Sequence, residues 1–128
     1  MPRVSAAFFA VGTLCLFLGM AWGMQMGASE DFTMMPAHAH LNLLGFVTMA
    51  IYGTFYALTA ATLSPRLAWG NLALSATGVA LMIPSLALFL PARDKAYIPL
   101  MLVGEVATVL GLLVFAVSVG REFLRARA

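Results

Sequence analysis

Four long apolar runs, broken only by short polar stretches, leave this chain few ways to fold. They cover about residues 5–27, 37–61, 68–90 and 97–119. A helix needs about 20 residues to cross a bilayer core of about 30 Å, and each run meets that length. Inside hydrocarbon every backbone N–H and C=O must find a partner within the protein, which selects helices over isolated strands. Of the 128 residues, 62% are hydrophobic and 9% are charged. A water-soluble domain of this size carries far more charge. The sequence therefore reads as all-α: one polytopic membrane domain over residues 1–128, a four-transmembrane-helix bundle with the lipid bilayer as its solvent.

Charge then gives the bundle a direction. If the four runs alternate, Arg3, Arg66, Arg121, Arg125 and Arg127 share one side, and Glu30, Asp31, Arg93, Asp94 and Lys95 share the other. Cytoplasmic loops carry the basic excess, so the N and C termini are expected in the cytoplasm and the 28–36 and 91–95 loops outside. The expected location is a bacterial-type inner (cytoplasmic) membrane, crossed several times. The net charge of +2 reads as topology, and nucleic acid is not expected as a partner. Arg3 ahead of an apolar run also fits the opening of a signal peptide. The run exceeds the ~7–15 residues of a signal core and no A-x-A site follows, so it reads as an anchor.

Punctuation within the runs is sparse. Pro36 and Pro99 fall near helix starts, where a missing N–H does no harm. Residues 64–66 (Ser-Pro-Arg) read as a tight turn, and Pro84, inside the third run, is expected to kink it. Gly12, Gly19, Gly23 and Gly27 let a neighbouring backbone approach closely, from the same chain or from another subunit. Cys15 stands alone, with no disulfide or CxxC pattern, and reads as a packing residue.

The two histidines of the chain, His38 and His40, stand together at the head of the second run. At about 100° per residue they point roughly 200° apart, to opposite flanks of one helix. One metal ion cannot take both, as it could at i, i+4 spacing. The His38 flank continues through Asn42, Gly45, Met49, Tyr52, Gly53 and Tyr56, and the His40 flank through Leu44, Val47, Ile51 and Leu58. If the polar flank faces the bundle, His40 faces lipid or another subunit. An imidazole facing hydrocarbon is unfavourable, so a cofactor, a second chain or the interface is expected to cover it.

The string HAHLNLLGFVTMAIYGTFYAL, followed by LSPRL, resembles the tenth helix of the catalytic subunit of haem–copper oxidases, in particular the C-type branch and its nitric oxide reductase relatives. By that resemblance His38 would correspond to the ligand of a high-spin haem and His40 to the ligand of a low-spin haem. RLAWGNLALSATGVALMIPSLALFL looks like the helix that follows, and PARDKAY sits where the family has a basic loop, so Arg93 and Lys95 would hold haem propionates. The resemblance covers the last third of the family's roughly twelve helices. Histidines for the active-site copper and the second axial ligand of the low-spin haem come from earlier helices and have no counterpart here. One chain therefore cannot assemble the oxygen-reducing centre as the family builds it, and catalysis is not implied.

What remains is a set of expectations. A haem needs an axial ligand, an apolar slot and partners for its propionates. No CxxCH motif is present, so a bound haem would be non-covalent haem b. Bis-histidine ligation would need two chains; alternatively one histidine binds with a methionine or an open position opposite it. A homo-oligomer, dimer or trimer, with the cofactor near the subunit seam is the expected assembly. The expected role is electron transfer or haem/redox-ligand handling, with a respiratory-chain redox partner. Copper is the second cofactor: Met34 and Met35 lie close to His38 and His40, and thioether with imidazole suits Cu(I). That reading would make the protein a copper-binding or assembly partner of a respiratory oxidase. A structural remnant without cofactor is a third reading. Asn42, one turn beyond His38, reads either as a residue that steadies a ligating histidine or as an interhelical hydrogen bond; Glu105, mid-run in the fourth span, reads as such a helper, as a proton relay or as a protonated Glu bonded to a neighbouring helix.

Overall fold

A computed structural model describes residues 1–126, so Arg127 lies outside the described residues. All the regular structure in these residues is helical, and four helices are long and apolar enough to cross a membrane. They are α1 (Arg3–Ser29), α2 (Met35–Leu58), α3 (Pro65–Ala92) and α4 (Ile98–Arg125). Pro36, Pro65 and Pro99 each sit in the first turn of a helix. α3 runs on through Pro84 without a break. The charged end of the chain extends α4 beyond its apolar run as far as Arg125.

α2 is not uniform. It is α-helical over Met35–His40, π-helical over Leu41–Val47, and α-helical again over Thr48–Leu58. The switch back is fixed at Thr48, whose backbone N–H and side-chain Oγ1 (2.9 Å) both donate to the Leu43 carbonyl, five residues back. Segments of this kind recur at functional sites.

Lipid tails are as apolar as leucine, so helices in a bilayer associate through close fit and polar contacts. α1 and α2 make an antiparallel hairpin through that close fit. Gly23 lies under His38, Gly19 under Asn42, Gly45 against Cys15, Gly12 against Met49, and Gly53 under Phe8. The glycine spacing in α1 thus serves a contact within the chain, except for Gly27, which has open space around it. α3 and α4 form the second hairpin in the same manner: Gly104 fits against Met82, Gly78 against Thr108, and Gly111 against Ser75.

The hairpins are fastened at the end that carries the termini. Phe8, Tyr52, Phe55, Tyr56 and Phe115 make an aromatic cluster, with Tyr52 and Phe115 ring centres 4.2 Å apart. Beside it lies a buried polar chain. Ser75 Oγ donates to Asn71 Oδ1 (3.0 Å) and Asn71 Nδ2 donates to the Tyr56 oxygen (3.1 Å). Tyr56 Oη pairs with Ser118 Oγ at 3.2 Å, and Ser118 Oγ donates to the Val114 carbonyl at 3.2 Å. Because Ser118 spends its proton on Val114, the tyrosine is the donor between them, and the protons all run one way. Arg125 Nη1 adds a bond to the Thr62 carbonyl (2.9 Å), joining the tail of α4 to the turn after α2. The remaining faces of α1 and α4 present bare Leu, Val and Phe side chains, which suits contact with lipid.

Two helices end on residues in the left-handed region that are not glycine: Glu30 (φ 55°) after α1 and Arg93 (φ 53°) after α3. A side chain there costs about 1–2 kcal/mol, and an acidic group at a helix C-terminus opposes the helix dipole. Glu30→Gly is expected to stabilise the protein by about 1 kcal/mol, read as a later unfolding transition in an SDS titration followed by circular dichroism.

The loop beyond Glu30 is tied by Asp31, whose Oδ1 accepts from Thr33 Oγ1 (2.7 Å) and Thr33 N–H (3.0 Å). These bonds, the hydroxyl first, hold the carboxyl below its ordinary range. They favour the charged form, so the turn stays intact above the ordinary carboxylate range and opens as pH falls through the lowered value. The Thr33 amide resonance should titrate accordingly and lose that titration in Asp31→Asn.

Candidate functional site

His40 sits in the first turns of α2 on the exposed flank, and its orientation is set by one bond. Nδ1 lies 2.7 Å from the Pro36 carbonyl, one turn back. A carbonyl only accepts, so Nδ1 carries the proton and Nε2 is left with an available lone pair. The ring is thus oriented like a metal-bound histidine whose second nitrogen is anchored by backbone.

His38 faces the other way. Its ring rests on Gly23 of α1, and any larger residue there would meet it: a Cβ would come within 3.0 Å of Cε1. Asn42 Nδ2 lies 3.2 Å from His38 Nε2, so the expected pairing of these two forms. Among the described residues His38 Nδ1 and Asn42 Oδ1 are both buried without a hydrogen-bond partner. His38 is therefore an interior, engaged imidazole, and His40 an outward, available one. The opposed flanks expected from helical geometry are present.

The other candidate residues divide. Arg93 closes α3, with its N–H on the Phe89 carbonyl (2.7 Å) and its guanidinium 5.7 Å from the centre of the Phe89 ring. Asp94, between the two basic residues, spends Oδ1 on the Ala96 N–H (2.9 Å). Among the described residues neither Arg93 nor Lys95 has an ion-pair partner. Both are exposed at the end of the bundle that carries the histidines. Glu105 does not join them. It lies on the exposed face of α4 among Leu102, Val106 and Val109, with no hydrogen bond among the described residues, so it does not steady either histidine within one chain. Met34 is half-buried at the head of α2 and Met35 is exposed. Among the described residues no three His, Cys, Asp or Glu side chains come together as a metal-holding group.

No family model, curated protein or solved structure matches the chain. Function must be read from the residues themselves.

Two features of the bundle escaped sequence reasoning. The π-helical stretch has no sequence marker beyond Gly45 and Thr48. The Tyr56–Asn71–Ser118 chain had one, since these are polar residues inside apolar runs, a cue for interhelical bonding. A large cleft of about 660 Å³ also opens between α1 and α3. Its walls include Trp22 and Leu41 but neither histidine, so it offers no imidazole to an iron.

Proposed function

We propose that the protein is a b-type haem-binding protein of a bacterial-type inner membrane and that it carries electrons. His40 would hold its iron through Nε2, between two copies of the chain. One observation supports this above others: the 2.7 Å contact of Nδ1 with Pro36, which leaves Nε2 outward on the lipid-side flank of a span. A bare imidazole there is costly, and iron ligation at a seam both uses and covers it. A bound haem supplies one-electron cycling of its iron.

The residues divide the remaining work. The Pro36 carbonyl holds the proton on Nδ1 and fixes the ring. Arg93 and Lys95, unpaired and at the same end, offer cations to the propionate carboxylates. Each chain presents one outward imidazole, and a second copy would supply another His40 to the same haem. Attachment is non-covalent.

The test is the purified protein's reduced-minus-oxidised spectrum with pyridine extraction. The expected result is a Soret and α band from one haem shared by two chains. Extraction that yields no haem overturns the reading. A colourless protein that retains Cu(I), and loses it when Met34, Met35 and His38 are replaced, would mark a copper-binding protein instead.

A further inference from the structure

Glu105 is the one Asp, Glu, Lys or Arg within the four apolar runs. It stands about 12 Å along the chain axis from Tyr97, at about 1.5 Å per residue, and a tyrosine there marks the level of lipid head groups. A glutamate side chain is shorter than one helical turn and does not span that distance. Nor can it turn inward. Gly104 seats on the Met82 backbone, Ala107 is buried and Gly111 seats on Ser75, so the neighbouring face of α4 is pinned to α3. Glu105 is left exposed, with no hydrogen bond among the described residues. α4 is also the least buried of the four spans. Hydrocarbon tails suit its Leu and Val side chains but offer a carboxyl neither donor nor acceptor, so this group calls for a protein partner.

We propose that the outer face of α4 is a dimer interface in which the Glu105 carboxyls of two copies hydrogen-bond to one another. Leu102, Glu105, Val109, Leu112, Ala116 and Val119 recur at alternating steps of three and four, and all are exposed. This is the period of a coiled-coil seam, the crossing that membrane spans commonly adopt. Glu105 is the one polar member of the stripe, and a single polar residue in such a seam sets its register. The bilayer selects the occupant. Copies of one chain insert in the same direction, so their α4 helices run parallel and like residues meet at like depth. A two-fold axis along the membrane normal therefore sets carboxyl against carboxyl. A protonated carboxyl both donates and accepts, so each O–H donates to the other's carbonyl oxygen and neither acid is left unsatisfied. A partner of different sequence would need a matching group at this one depth; a second copy has it by symmetry. The interface lies on α4 and does not rest on the haem reading, which concerns His40 of α2.

The test is sedimentation equilibrium of the full chain in density-matched detergent, in a His40→Ala background so that no haem bridges the copies. A monomer–dimer equilibrium is expected. Glu105→Leu keeps the face apolar and should raise the dissociation constant on the order of tenfold. Glu105→Gln, whose amide also donates and accepts, should dimerise nearly as the parent does. Register is read by cross-linking in bilayers. In Cys15→Ala protein, Val109→Cys lies on the stripe and should form a disulfide-linked dimer on mild oxidation. Leu110→Cys, equally exposed but one residue round the helix, should not. A chain that stays monomeric overturns the inference, as does a Glu105→Leu protein that dimerises as well as the parent. Equal cross-linking at the two positions overturns it too.

Discussion

Gly104→Ala is expected to destabilise the protein by about 2–3 kcal/mol, one methyl group notwithstanding. A Cβ at this position would lie 2.6 Å from the Met82 backbone nitrogen, 2.8 Å from Met82 Cβ and 2.9 Å from the Gly78 carbonyl oxygen. Two of these three are backbone atoms, so no side chain can swing aside. α3 and α4 must separate over the whole seam, which also loosens the Gly111–Ser75 fit below it. The comparison is Gly120→Ala, also in α4, where a Cβ meets nothing within 4 Å. That change should be neutral or stabilise by up to about 1 kcal/mol through helix propensity. The SDS-titration midpoint should fall for Gly104→Ala and hold or rise for Gly120→Ala; equal midpoints would show that the seam is looser than described.

His40→Ala should remove nearly all bound haem, a loss of at least about tenfold in haem per chain, equivalent to about 1.4 kcal/mol or more of binding. His38→Ala should keep the haem band, because that ring is engaged by Asn42 and Gly23 inside the hairpin. A ligand can be told from a structural residue by rescue. His40→Gly protein supplied with free imidazole should regain the band, since the small molecule replaces the missing Nε2. A merely structural role for His40 would give no rescue. Equal loss in both single variants would sink the assignment to His40.

The membrane architecture was legible from the sequence because a bilayer imposes a length and a composition that few other folds share. Spans differ from the expected bounds only at their ends, where Pro65 opens α3 earlier than hydropathy does and charged residues prolong α4. The opposed histidines were also legible, since two residues on one helix are related by simple rotation. Three things were not. Whether the glycines of α1 serve the chain or a subunit contact depends on which helix docks there, which no local pattern states. Glu105 was read as a helper of the histidines from its depth alone, but the fit of Gly104 and Ala107 against α3 turns it outward. The fate of each histidine depended on partners one turn away: the carbonyl of Pro36 for one, the amide of Asn42 for the other.

The polar chain through Tyr56, Asn71 and Ser118 lies at the end of the bundle that carries the termini. Tyr56 is a crosspoint of three spans: its one hydroxyl joins α2 to Asn71 of α3 and to Ser118 of α4, so removal of that single oxygen frees both neighbours at once.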